Sequence, residues 1–170
     1  FALYRFSDHS EVLAPLSLGA KEVRAKLAGI EFRGSSAVWG SLKEVLTNFD
    51  QLKKNTRRAI VLMTDGWDNS SASLDASQLI QQISNGSRTA FYVVDVSQTP
   101  ESKSTVESAR TKRKGAETLR AIARVSGGAY FQIKEFSEME NLYATLAERI
   151  AVSYLLSFTP PATVPEGLAS

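Results

Sequence analysis

The chain contains no cysteine. Disulfides, thiolate nucleophiles and zinc–cysteine clusters are therefore excluded, although the absence does not fix a compartment. Histidine occurs once, as His9. A multi-histidine metal site is excluded with it, and His9, in a turn cluster, reads as a surface residue. No apolar run approaches the roughly 20 residues of a membrane-spanning helix. There is no G-x-x-x-x-G-K-[ST] phosphate loop, no G-x-S-x-G nucleophile elbow and no internal repeat. The net charge of +2 is too small to demand a nucleic acid or a membrane surface as partner. No signal-peptide pattern is visible, and Phe1 already stands inside a strand-like run, so the expectation is that an N-terminal part of the domain is missing.

What is present is enough for one core: 170 residues, 43% of them hydrophobic and 22% charged. Strand-like and helix-like patterns alternate. "FALYRF" (1–6) and "EVLAPLS" (11–17) read as a hairpin, with Pro15 marking a sheet edge. Helices are expected over 20–30 and 35–52; the second carries Val38, Leu42, Val45, Leu46 and Phe49 on one face, with Ser35 or Ser36 as N-cap. "RAIVLMT" (58–64) is a continuous apolar run, as in a strand buried on both faces. A helix over 72–84 stops at Asn85-Gly86, and "TAFYVVDV" (89–96) is a second buried strand. A polar, basic stretch (97–114) precedes a helix over 115–126 that ends at Gly127-Gly128. "AYFQI" (129–133) is a short strand. A helix capped by Ser137, with Glu140 three positions on, then turns extended near "SYLLSF" (153–158), before a proline-rich tail or linker (160–170). This order predicts an α/β fold: a doubly wound, mostly parallel sheet with helices on both faces and one antiparallel edge strand.

Within that order the segment "AIVLMTDGWDNSS" (59–71) draws most of the chemistry. Ligands of such sheets bind at the carboxyl ends of strands, where Asp65 stands. Thr64 beside it is short and polar, and Gly66 permits a sharp turn next to a ligand. Mg²⁺ takes hard oxygen ligands and keeps several waters, so one carboxylate and a few hydroxyls suit it. The plainer alternative is that Asp65 caps the next turn or helix. Asp68 reads as ordering its own turn through the backbone two residues on. Trp67, in that turn, is expected to be exposed, whereas Trp39, in a helical pattern, is expected to pack inside. Asp95, ending its strand, reads as a helix cap or a structural hydrogen-bonding group rather than as a support behind the ligand site. "RTKRKG" (110–115) is a dense basic run without the aromatics of nucleic-acid binders, and reads as a solvated, mobile loop rather than a phosphate patch.

The succession "LYRFSD", "FRGSSAVWGSLKEVL", "IVLMTDGWDNSS", "RVSGGAYFQI" resembles a von Willebrand factor A domain, over about residues 1–150. "ERIAVSYLLSFTPP" further resembles the bacterial, acidobacterial-type subgroup, which puts the domain at 1–159. The resemblance implies a Rossmann-like fold and a metal-ion-dependent adhesion site drawn from three loops. The Asp of its T-D-G segment matches Asp65. The Thr of its second loop aligns with Ser36 in "GSS" (34–36), and serine keeps the hydroxyl. Its first motif, D-x-S-x-S, has no match; "DHS" (8–10) and "DNSS" (68–71) lack the spacing and follow the wrong strands. The strand that carries that motif lies mid-sheet in the family, between 1–6 and 58–64. Its slot is left to a missing N-terminal segment, to strand exchange with a second copy, or to "SYLLSF"; the first is preferred. The function so implied is a divalent-cation-dependent, adhesion-type protein-binding module and not an enzyme. Ser36 and Asp65 would hold Mg²⁺ (or Mn²⁺ or Ca²⁺), which captures an acidic side chain of a protein partner. Ser35, Gly66, Trp67 and Asp68 would form the rim, in a secreted or cell-envelope, extracytoplasmic setting. The alternatives are a scaffolding domain with a degenerate metal site, and a Mg²⁺-dependent hydrolase using Asp65 and Asp68.

Overall fold

The computed structural model describes residues 2–7, 9–16, 19–27, 36–51, 57–68, 73–99 and 106–152. Ser35, most of "DNSS", the "SYLLSF" stretch, the boundary at 159 and the proline-rich tail lie outside the described residues. The chain divides into two compact units, Phe1–Met139 and Glu140–Ser170.

The first unit opens with the expected hairpin. Strands β1 (Leu3–Phe6) and β2 (Ser10–Ala14) pair antiparallel. Pro15 follows β2 directly, where its missing N–H removes no ladder bond. Helix α1 (Ala20–Leu27) comes next and buries none of its residues. Helix α2 (Val38–Asp50) buries Val38, Leu42, Val45 and Leu46, the apolar face expected of it, together with Trp39. Phe49 meets Tyr4 of the hairpin edge to face at 6.5 Å, and the N–H of Ala37 donates to the Ser7 carbonyl, so the hairpin is tied to both ends of α2.

Strands β3 (Arg58–Thr64), β4 (Thr89–Asp95) and β5 (Ala129–Gln132) form a parallel sheet in the order β3-β4-β5. Helix α3 (Ser73–Ser84) connects the first pair and α4 (Val106–Val125) the second, as parallel crossovers require. The core joins Leu42 and Leu46 of α2, Leu79 and Ile83 of α3, Leu119 and Ile122 of α4 to Leu62, Phe91 and Val93 of the sheet. Full burial of side chains of this size contributes about 1.5–3 kcal/mol each. Among the described residues β1 does not pair with β3. Strand β3 is also not buried on both faces, contrary to the expectation from its apolar run. Leu62 and Thr64 are buried, while Val61 and Met63 are 40% and 44% exposed. Successive strand residues point to opposite faces, and the core helices cover only the face of Leu62.

Two helix boundaries differ from expectation, each for a tertiary reason. The basic run 110–115 is not a loop; it forms the first half of α4, a 20-residue helix. Lys112, Gly115, Ala116, Leu119, Ile122 and Ala123 share one buried stripe at helical spacing. A glycine inside a helix costs about 1 kcal/mol relative to alanine. Here it admits a close approach: a Cβ on Gly115 would lie 1.9 Å from the Gly66 carbonyl oxygen, just past the end of β3. The C-terminus of α4 is as expected. Gly127 takes a φ of 72° and Gly128 N–H bonds to the Ala123 carbonyl at 2.9 Å, which satisfies an end carbonyl of the helix. At the other boundary, α2 starts after Ala37 with no capping side chain of its own, so Ser36 is not the cap. The N–H of Trp39 is satisfied instead by Asp68 Oδ2 at 2.9 Å, from 29 residues away.

A short 3-10 turn (Phe136–Glu138) precedes α5 (Met139–Ala151), which represents the second unit among the described residues and buries Leu146. The turn is closed by a capping box between Glu135 and Glu138, not by Ser137. The backbone N–H groups of Lys134 and Glu135 hold the Glu138 carboxyl below the usual range.

Two stability outcomes follow from these contacts. Replacing Gly115→Ala improves helix propensity, yet the backbone oxygen opposite cannot move aside as a side chain would. A net loss of about 1–3 kcal/mol is expected, typical of overpacking. A urea unfolding midpoint at or above that of the parent chain would rule out the close approach. Asp68→Ala should lower stability by about 0.5–2 kcal/mol, as loss of a cap does, and Asp68→Asn should retain most of it. Equal losses in the two variants would show that the cap is not the hydrogen bond to Trp39.

Candidate functional site

Strand β3 delivers its last residues to the carboxyl end of the sheet. There Thr64 Oγ1 accepts the N–H of Gly66 at 3.1 Å, and Asp65 Oδ1 accepts the N–H of Trp67 at 3.1 Å. These two side chains close the turn in the manner of Asx and ST turns. Gly66 has a φ of 74°, which a side chain would strain. Asp65 thus orders this turn through the backbone two residues on; the backbone two residues beyond Asp68, where the same role was expected of it, lies outside the described residues. Asp68 reaches across to α2, and that bond brings the start of α2, three residues beyond Ser36, against the 65–68 turn.

The second oxygen of Asp65 carries a cation from the protein itself. Lys112 Nζ lies 3.2 Å from Asp65 Oδ2. The same ammonium lies 5.7 Å from the centroid of the Trp67 ring, within cation–π range. Lys112 is only 7% exposed, whereas a third of the Asp65 side chain is open to solvent. Lysines are almost never this buried unless paired. Trp67 is half-buried, its ring sharing this ammonium, and Trp39 is core, as its helical position predicts. Lys112 is the residue that sequence reading missed. Its signal was the spacing to Ala116 and Leu119, which continues the apolar stripe of α4 backwards by one turn.

One strand over, Asp95 pairs in register with Thr64 and is fully buried. It accepts from Ser97 N–H at 2.8 Å, from Gln132 Nε2 at 3.2 Å and from the Tyr130 hydroxyl. A buried carboxylate needs such donors, so Asp95 is the structural group expected of it. Burial pushes the Tyr130 hydroxyl well above its ordinary pKa, and the bond to Asp95 and its charge push the same way; Arg120, over the ring at 4.6 Å, opposes them.

In kind, the oxygens of Asp65 and Ser36 suit a hard divalent cation. In number they are few: among the described residues no three His, Cys, Asp or Glu side chains cluster to hold a metal. A cleft of about 660 Å³ lies elsewhere, lined by Arg58, Gln78, Asn85 and Arg88 among others. Arg58 begins β3, so this cleft sits at the opposite end of the strand, about 20 Å from Asp65 at 3.3 Å per residue.

Residues 1–145 match the family model of the von Willebrand factor type A domain. Among solved structures, a von Willebrand factor type A protein from Catenulispora acidiphila superposes with a TM-score of 0.68 at 18% identity over 88% of this chain. Proximal thread matrix protein 1 of the mussel byssus, solved with zinc in its MIDAS motif, gives 0.59 at 18% identity over 89% of this chain. BatB from Bacteroides thetaiotaomicron gives 0.59 at 15% identity, over 88% of this chain and 78% of its own. The chain spans only 33% of the Catenulispora protein and 36% of the mussel protein. No curated protein sequence matches it significantly. At these identities the structural likeness is one of fold. The match over residues 1–145 covers most of the chain, which therefore belongs to the von Willebrand factor type A family.

Proposed function

We propose that the chain is a protein-binding module of the adhesion type, whose contact face is the carboxyl end of β3 together with the start of α2. The observation that carries this reading is Asp65: a partly exposed carboxylate at the strand end, in a turn joined to α2 through the Asp68–Trp39 bond. Strand ends of this kind are where open α/β sheets bind ligands. Asp65 and Ser36 would hold a divalent cation, Mg²⁺ or else Mn²⁺ or Ca²⁺. When bound, the cation supplies an open coordination position for a partner's Asp or Glu carboxylate. The zinc-occupied MIDAS of the mussel relative supports a divalent cation on this fold.

This chain's own residues do the rest. Thr64 and Asp65 hold the turn, Gly66 gives it its sharp bend, and Asp68 fixes its distance from α2. The half-buried Trp67 offers an aromatic edge to a protein surface, with Asp68 beside it. No step of covalent chemistry is required; the work is binding without turnover. Among the described residues no helix is long and apolar enough to cross a membrane. An extracytoplasmic setting in the cell envelope is supported by a structural relative described as an aerotolerance-related membrane protein from Bacteroides fragilis, with a TM-score of 0.58. One observation favours a second reading, a scaffolding module that works without metal: the carboxylate of Asp65 is paired with Lys112.

Calorimetric titration with Mg²⁺ and Mn²⁺ separates the two. The adhesion reading expects saturable binding that weakens at least tenfold in Asp65→Ala. Heats of dilution alone in both proteins would leave the scaffolding reading.

A further inference from the structure

We propose that Lys112 is a built-in counter-cation for Asp65 that an incoming divalent ion must displace, so that Lys112 sets how readily the site takes metal. This rests on the reading of Asp65 as a metal ligand and adds to it a residue from the far side of the sheet's crossover.

Three observations converge on Lys112. Lys112 is buried, 7% exposed as a residue, while its neighbours Arg113 and Lys114 are exposed. It faces Asp65 Oδ2 at 3.2 Å and the Trp67 ring at 5.7 Å, so two groups of the 65–68 turn receive one positive charge. And its position is imposed by the backbone. Gly115, less than one turn on, lies against Gly66 with no room for a Cβ, so α4 is clamped to the same turn that presents Asp65. The lysine is delivered to the carboxylate by a rigid element rather than by a flexible surface arm.

A magnesium ion binds carboxylate oxygen at about 2.0–2.1 Å. An ammonium 3.2 Å from that carboxylate would then stand within a few ångströms of a doubly charged ion. The two positive charges repel, and low exposure weakens the screening that water would provide. Metal entry therefore requires the ammonium to leave Asp65, and with it the face of Trp67. Lys112 reaches water by rotating its long stem, or the first half of α4 gives way. Metal loading at Asp65 and the seating of Lys112 exclude one another. The site is then a competition between a tethered monovalent cation and a free divalent one.

The test compares the parent chain with Lys112→Met, which keeps the apolar stem without the charge, and Lys112→Arg, which keeps a charge. Mn²⁺ and Mg²⁺ affinities are measured by calorimetry, and tryptophan emission is followed through each titration. We expect at least tenfold tighter binding in Lys112→Met and no comparable gain in Lys112→Arg. We also expect an emission change on metal addition in the parent chain, as the ammonium leaves Trp67, that is absent from Lys112→Met. Equal affinities in the parent and Lys112→Met overturn the proposal while leaving Asp65 as a metal ligand. No binding in any of the three proteins removes the metal reading itself and this proposal with it. If Lys112→Met does not fold, the parent chain decides: saturable binding with unchanged emission overturns the displacement.

Discussion

The carbonyl oxygen of Gly66 and the backbone of Gly115 approach so closely that nothing larger than hydrogen fits between them. Strand β3 ends at that contact and α4 is pinned to it. Everything distinctive at the strand end follows from this placement. The turn at 65–68 has its back to a helix, so Asp65 and Trp67 are confined to the space that remains, and the residue of α4 three positions before Gly115 meets both. A helix glycine that propensity alone disfavours is thus the condition for the local arrangement.

Two carboxylates stand side by side at the ends of β3 and β4, and their oxygens are satisfied in different ways. Asp95 is fully buried and surrounded by neutral donors from Ser97, Gln132 and Tyr130, which satisfy its oxygens without adding a charge. Asp65 is partly open to water and meets the ammonium of a buried lysine. Removing one partner of a buried pair leaves an uncompensated charge, and an apolar pair of similar shape is often no less stable. The Asp65–Lys112 pair is therefore weak as an explanation of stability and better understood through what it controls at the site. Asp95 has the opposite character: no exposure, and a role in holding β5 against β4.

Much of the frame was legible in the residues. The apolar run ending at Thr64 and the one ending at Asp95 became β3 and β4 with little shift, the stops at Asn85-Gly86 and Gly127-Gly128 fell where the glycines stand, and the apolar face of α2 is the face it buries. Such features depend on neighbours a few residues apart. What escaped depends on residues brought together from afar. The start of α4 was hidden because a lysine occupies the apolar stripe at position 112, so the hydrophobic period breaks although the helix does not. The cap of α2 was read as a neighbouring serine, and the carboxylate that satisfies Trp39 comes from the turn after the next strand. The one-sided burial of β3 was hidden because an apolar residue reads the same whether or not a helix covers it.

The sequence by itself determined the alternation of strands and helices, the family pattern around "TDG", and the position of an acid at a strand end. Those are properties of local spacing and of backbone preference at Gly66. Only the tertiary structure decided what that acid faces. Lys112 is 47 residues from Asp65 along the chain, and no local pattern couples them. Their meeting required a parallel crossover to bring α4 over the end of β3, and a pair of glycines to let the two backbones touch.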